Sequence, residues 1–233
     1  MDTILCNIGN THTSACLWNG KEIKKLFTVP TGEFSPDMLD ANIPVAAACV
    51  VPAVRKMVES HRSDVFWVSS ANCSGKLDFS LVDASTLGAD RVANAVALTE
   101  YVPLPALVVD CGTAITIEII DQNRCFRGGA IAPGRLLMRK ALFNGTAQLP
   151  DIPLSEKVPE FAGVDTVSSM CFGIDRGAVG IVRQLIAGCC AQYGIRRCVA
   201  TGGDAGFFLD AIPELESADE FFTFNGIRIA AGV

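Results

Sequence analysis

Thr3-Ile-Leu-Cys-Asn-Ile-Gly9 and Ala106-Leu-Val-Val-Asp-Cys-Gly112 decide the fold, because they are one device written twice. Each is a short apolar run of strand length that ends in a turn of small and polar residues. After the first, Thr13 to Trp18 reads as a second strand, Asn19-Gly20 as a two-residue hairpin turn and Glu22 to Val29 as a returning third strand. After the second, Ile115 to Ile120, a Gln122-Asn123 turn and Cys125-Phe126 repeat that order. At an offset of 103 residues Asn7, Gly9 and Thr13 fall on Asp110, Gly112 and Thr116. Both copies then obey Asn/Asp-x-Gly-x-x-x-Thr. A single echo, as opposed to an array, predicts two related halves.

Each half continues with strand and helix material. Val45 to Pro52, Ala53 to Arg62 and Val65 to Ser69 supply it in the first, and Ser168 to Tyr193 and Cys198 to Gly202 in the second. The pattern predicts an α/β protein of two domains, 1–105 and 106–233. Pro150 to Val158, charged and proline-containing, reads as a surface connection.

With 233 residues, half of them hydrophobic, the chain can bury a sizeable core. Its net charge of -6 offers no basic footprint for a nucleic-acid backbone, so no such partner is expected. Apolar runs such as Val45 to Val51 and Ala106 to Val109 fall far short of the roughly 20 residues that cross a bilayer. Met1-Asp2 opens without a basic segment, and the expectation is a cytoplasmic protein with no signal peptide and no membrane span. Ten cysteines are scattered without any CxxC pair and mostly among apolar neighbours, as in Ala47-Ala48-Cys49-Val50-Val51. They read as reduced, buried thiols, and with only His12 and His61 beside them a zinc site has little to build on.

A tight turn between strands that carries glycine and hydroxyl side chains exposes backbone N–H groups and admits a phosphate closely, since one Cβ is missing. Gly9-Asn10-Thr11 and Gly112-Thr113-Ala114 both qualify. Facing each other across a cleft they would grip a polyphosphate, with Asp110 available to hold a cation against its charge. Neither is a Walker A loop, and no GxGxxG opens a helix after a strand. A second motif, Leu87-Gly88-Ala89-Asp90-Arg91, passes from a glycine turn into an Ala-rich helix. Asp90 near that helix's N-terminus can accept a hydroxyl proton during phosphoryl transfer while Arg91 holds an acidic substrate. The same segment also suits a plain helix start with a solvated arginine. Two further glycine clusters, Arg127 to Gly134 before a helix and Ala200 to Gly206 after a strand, read as strand-to-helix turns that could close over a nucleotide. His12 reads as a solvated turn residue and not as a base.

Asn7 to Thr11, Gly88 to Arg91, Asp110 to Ala114, Gly129 to Gly134, Leu149-Pro150 and Thr201 to Gly203, in that order, resemble the motif set of type III pantothenate kinases along nearly the whole chain. Val50-Val51-Pro52 fits a segment that the family usually carries. The resemblance implies a duplicated ribonuclease-H-like (actin-like ATPase) fold, two mixed-sheet domains flanked by helices, in the acetate kinase/sugar kinase/actin superfamily. It implies ATP-dependent phosphorylation of pantothenate on its primary hydroxyl, the first step to coenzyme A, by a homodimer with active sites near the interface. By position Asn7, Ile8, Gly9, Asn10, Thr11, His12, Thr13, Ser14 and Thr113 would touch ATP. Gly88, Ala89, Asp90 and Arg91 would bind pantothenate, with Asp90 as proton acceptor and Thr166 as a further contact reaching the partner's site. Asp110 would hold a monovalent cation, potassium or ammonium, and Mg2+ would accompany the phosphates. Two positions depart from the family. Asn7 stands where the first loop normally has Asp, although acetate kinases use Asn at the corresponding place. Leu81 stands near where an aromatic usually lines the pantothenate pocket. The loss of charge at Asn7 keeps open an alternative, a binding protein of the same fold with little or no turnover.

Overall fold

The two apolar runs become the central strands of two sheets in the computed structural model, which describes residues 2–233. In the first sheet β1 (Thr3–Ile8), β2 (His12–Trp18) and β3 (Ile23–Pro30) form the hairpin series, followed by β4 (Val45–Cys49) and β5 (Val65–Trp67). In the second, β6 (Ala106–Cys111), β7 (Ala114–Ile120) and β8 (Phe126–Pro133) are followed by β9 (Arg197–Thr201) and β10 (Glu216–Ser217). The helices are α1 (Pro52–His61), the short α2 (Ser70–Cys73), α3 (Ala89–Tyr101), α4 (Arg135–Gly145), α5 (Thr166–Tyr193), α6 (Ala205–Ala211) and α7 (Phe222–Ala231). The sheet orders β3-β2-β1-β4-β5 and β8-β7-β6-β9-β10 are one topology used twice. In both, the first strand pairs in parallel with the strand that returns after the hairpin series. The duplicated α/β architecture expected from the echo is therefore present.

By contacts the chain divides into two compact units. Unit 1 takes the described residues up to Leu104, the turn Ile120–Gly128 and Asp219–Val233; unit 2 takes Pro105–Ile119 and Gly129–Ala218.

β1 and β6 share the same burial, every residue buried except the fifth, which is half-buried. That pattern belongs to a strand covered on both faces. In unit 1 Ile4, Cys6 and Ile8 join Val45, Ala47 and the α1 residues Val54 and Val58 in one core. Leu5 is equally buried and alternates to the opposite face, and α7 also packs on β1. α7 lies so close to α3 that a Cβ on Gly226 would overlap the Ala93 carbonyl, and Thr223 Oγ1 donates to Asn94 Oδ1 at 2.7 Å. In unit 2 Leu107, Val109 and Cys111 face Ala178, Val179, Val182 and Ile186 of α5 and Phe207 and Phe208 of α6. The fifth residues, Asn7 and Asp110, alternate away from these clusters.

Local chemistry sets the ends of the elements. Pro52 sits in the first turn of α1, where its missing N–H costs nothing. α5 opens on a capping box between Asp165 and Ser168 and closes on Gly194 in the left-handed region, φ +64. Asn19 Oδ1 accepts from Lys21 N and Glu22 N, both at 2.9 Å, and Gly20 takes φ +88, as a tight hairpin requires.

Three expectations are corrected. The echo does not keep its offset of 103 past the glycines. Gly9 N–H bonds to His12 O but Gly112 N–H to Ala114 O, so the second turn is one residue shorter. The buried Thr13 thus corresponds to the buried Ile115, not to the half-buried Thr116. At the next turn the side-chain acceptor equivalent to Asn19 is Asp121, whose Oδ1 takes Asn123 N and Cys125 N, and not Gln122. Second, most of the Arg127 to Gly134 cluster is strand β8, and only Gly134 lies in a strand-to-helix turn. β8 ends its sheet order, and an edge strand tolerates glycine and proline. Third, Pro150 to Val158 is more than a surface connection. Ile152 is buried with Met170 and Ile174 of α5, and the carbonyls of Pro153 and Ser155 receive buried arginines.

All ten cysteines are free. Burial pushes the Cys16 thiol up to about 11 and, with Cys190 3.8 Å away, the Cys198 thiol up to about 12. Burial likewise drives Cys6 and Cys111 far up. No helix among the described residues is long and apolar enough to cross a membrane.

Candidate active site

The β1–β2 turn of unit 1 is braced from beneath. Thr31 Oγ1 donates to Gly9 O at 2.7 Å and lies 3.1 Å from Thr13 Oγ1, and Thr31 N–H donates to Thr11 O at 2.9 Å. Thr13 is fully buried, so its hydroxyl serves this brace. Asn10, Thr11 and His12 are left exposed at the tip, with Asn7, Gly9 and Ser14 half-buried and Ile8 buried behind them. Ser14 Oγ shares a hydrogen bond with Thr28 Oγ1 at 2.9 Å. Gly9 admits no side chain comfortably, since a Cβ would stand 3.1 Å from His12 O. Fixed backbone with an exposed polar tip can receive an anion without reorganising.

Val50, just past β4, donates its N–H to Ile8 O at 3.1 Å, and its Cγ1 lies 3.5 Å from where a Cβ on Gly88 would be. The ends of β1 and β4 therefore meet the start of α3 within unit 1. Gly88 precedes α3 without a side-chain cap, and Asp90 occupies the first turn. Asp90 folds its carboxylate back over that turn. Its Oδ1 accepts from Arg91 N–H at 2.7 Å and would stand only 2.7 Å from a Cβ on Gly88. The glycine is what makes room for the carboxylate. Burial pushes the Asp90 carboxyl above its ordinary 3.8, against the pull of the Arg91 N–H and the Arg91 charge. Ala89, Asp90 and Arg91 are all half-buried. A half-buried carboxylate with a raised pKa, next to an arginine, has the character of a proton acceptor beside an anion site.

In unit 2 three loops converge on the end of β6. Asp110, half-buried, pairs in register with Thr201 of β9. Gly202, at φ +96, lies over it so tightly that a Cβ would fall 2.5 Å from Asp110 Oδ1 and 2.6 Å from Cys111 O. Gly134 packs on the other side of the same turn. Its N–H donates to Thr113 O at 2.9 Å, and a Cβ there would overlap the Gly112 and Thr113 carbonyls. Thr113 itself is exposed. Among the described residues no group of three or more His, Cys, Asp or Glu is placed to hold a metal. The Asp110 carboxylate is a hard oxygen donor of the kind that holds Mg2+ or a monovalent cation.

Thr166, the first residue of α5, is exposed and lines a groove of about 590 Å3 with Leu142, Leu149 and Met170. That groove includes neither Asp110 nor Thr113. Sequence reasoning missed the ion cluster behind the glycine loops, formed by Arg135, Arg139, Asp175 and Asp204. One signal was available: Asp175 interrupts the apolar face of α5 between Ile174 and Ala178, where a charge needs a buried partner.

The family model for type III pantothenate kinase matches residues 3–188. A type III pantothenate kinase from Akkermansia muciniphila is 33% identical, with 100% of this chain and 99% of that protein covered. Among solved structures, a Campylobacter jejuni protein described as a Baf family transcriptional activator is similar at a TM-score of 0.68 and 20% identity, covering 98% of this chain and 97% of that one. A ROK hexokinase from Thermus thermophilus is similar at 0.52 and 13% identity, with 99% and 98% covered. These two likenesses speak for the fold alone, the duplicated one of sugar kinases and actin-like ATPases. With the family model matched over most of its length, the chain belongs to the type III pantothenate kinases.

Proposed function

We propose that this protein transfers the terminal phosphoryl group of ATP to the primary hydroxyl of pantothenate, giving 4'-phosphopantothenate at the start of coenzyme A synthesis. The observation that carries the reading is Asp90, held half-buried on the first turn of α3 with its carboxylate over Gly88 and its pKa raised. The carboxylate takes the hydroxyl proton as the alcohol oxygen bonds to phosphorus and the bond to the ADP oxygen breaks. Arg91 holds the pantothenate carboxylate, with Gly88 and Ala89 as the backbone floor. Asn7, Ile8, Gly9, Asn10, Thr11, His12 and Ser14 form the unit 1 phosphate turn, with Thr13 as its buried brace, and Thr113 serves the nucleotide in unit 2. Asp110 would hold a cation, Mg2+ or a monovalent ion such as potassium or ammonium, whose charge offsets that of the phosphates. Asn7, neutral where the motif it resembles normally starts with Asp, leaves that task to Asp110. The kinase relatives favour turnover over a silent binding protein.

The division 1–105 and 106–233 is the proposed repeat boundary, supported by the repeated strand order. A homodimer is supported by apolar side chains that unit 2 leaves exposed, among them Phe161 and Val164, close to Thr166 in the chain. In such a dimer Thr166 reaches the partner's pantothenate site. The working compartment is the cytoplasm, where ATP and reduced thiols coexist. The test is ADP release with ATP, magnesium, potassium and pantothenate. Wild type turns over only when pantothenate is present, and Asp90→Asn lowers turnover by about 10² to 10⁴. Full activity in that variant assigns the base elsewhere.

A further inference from the structure

Arg135 opens α4 directly after Gly134, and its guanidinium is 2% exposed. A cation at a helix N-terminus opposes the helix dipole, so it requires local compensation. It is met by two carboxylates. Nε donates to Asp204 Oδ2 at 2.8 Å and Nη2 to Asp204 Oδ1 at 2.5 Å, a two-pronged pair. Nη1 donates to Asp175 Oδ1 and to Ser155 O, both at 3.0 Å. The guanidinium lies over the Phe207 ring, 3.3 Å from its centroid. Arg139, one turn on, grips both oxygens of the same Asp175 at 2.9 and 3.0 Å and does not bond to Asp204.

Asp204 is held at both ends. Its N–H donates to Cys111 O at 2.9 Å while its carboxylate meets Arg135. It closes the turn whose Gly202 lies over Asp110. Arg135 thus ties the Gly134 turn, which rests on Thr113, to the Gly202 turn, which rests on Asp110. Two buried arginines and two aspartates cost desolvation and give little stability over an apolar core, so their best-attested use is to fix geometry.

We propose that Arg135 is a positioning residue: through Asp204 it sets the Gly202–Asp204 turn against the end of β6 and so holds Asp110 and Thr113 in the arrangement that receives the nucleotide, without touching substrate itself. The inference rests on the kinase reading for the ligand, a nucleoside phosphate, and adds a residue that reading does not use.

The experiment compares Arg135→Lys with Arg139→Lys, a change in the same buried cluster that leaves the Asp204 pair intact. Each folded variant is titrated with ADP by calorimetry and assayed for both KM values. Lysine cannot form the two-pronged pair. Arg135→Lys is expected to weaken ADP binding and raise the KM for ATP about tenfold, the equivalent of about 1.4 kcal/mol, with the KM for pantothenate within about twofold. Hydrogen exchange at Gly202 to Asp204 quickens in the same variant. Arg139→Lys leaves ADP affinity within about twofold. Unchanged ADP affinity in Arg135→Lys, or equal losses in both variants, overturns the proposal. If Arg135→Lys does not fold, Asp204→Asn decides: weaker ADP binding upholds the proposal and wild-type binding overturns it. Wild-type protein that binds ADP yet ignores pantothenate sinks the substrate reading and leaves this test in force, whereas wild-type protein that binds no nucleotide overturns both.

Discussion

At the scale of single residues, the raised pKa of Asp90 has two consequences of opposite sign for activity and stability. With Asp90 as the proposed base, the proton-accepting form exists only above that pKa, so kcat/KM is expected to fall as pH drops through a value above 3.8. The acid limb of the pH profile therefore lies higher than an exposed aspartate would give, which steady-state rates between about pH 4 and 7 will show. For stability, a carboxyl whose folded pKa is raised favours the fold below its unfolded pKa, and that contribution is lost as pH rises through the folded value. At neutral pH the ionised group is then a cost, and Asp90→Asn is expected to melt no lower than wild type while losing turnover. A clear drop in melting temperature contradicts this. Asp90 was legible because its setting is local, a glycine turn running straight into a helix. Arg135 was not, because its partners lie 40 and 69 residues away in the chain and only packing brings them together.

Among elements, the hairpin turns show where a repeat can be read and where it slips. The strands β1 and β6 were legible as apolar runs, and their half-buried fifth residues, Asn7 and Asp110, stood out as polar members of those runs. The one-residue shortening after Gly112 was not legible, since a turn's length depends on which N–H meets which carbonyl. Thr116, matched to Thr13 on paper, consequently does not share its buried role. Gly134 carries a prediction at this scale. A Cβ there overlaps two carbonyls of the β6–β7 turn, backbone that cannot swing aside as a side chain would. Gly134→Ala is expected to cost about 1–3 kcal/mol, read as a lower urea midpoint with an unchanged slope. Gly145→Ala, where a Cβ meets nothing within 4 Å, is the control expected to show no such loss.

For the whole molecule, unit 2 exposes Val164 at 97% and Phe161 at 76%, a large apolar display just beyond the Pro150 to Val158 stretch that reads as a charged connection. The homodimer proposed above would cover it with a second copy. If the proposed dimer forms through this segment, Val164→Asp shifts the protein from dimer to monomer in light scattering, with loss of activity if Thr166 completes the partner's site. A dimer unmoved by the change places the interface elsewhere. The buried thiols carry one last implication. Cys6 and Cys16 lie in unit 1, Cys111 and Cys198 in unit 2, and burial keeps all four protonated and out of solvent. An alkylating reagent can reach them only when the surrounding structure opens, because the thiolate is the reacting form. Mass spectrometry of peptides from iodoacetamide-pulsed protein would thus clock the breathing of each unit separately, with no engineered label.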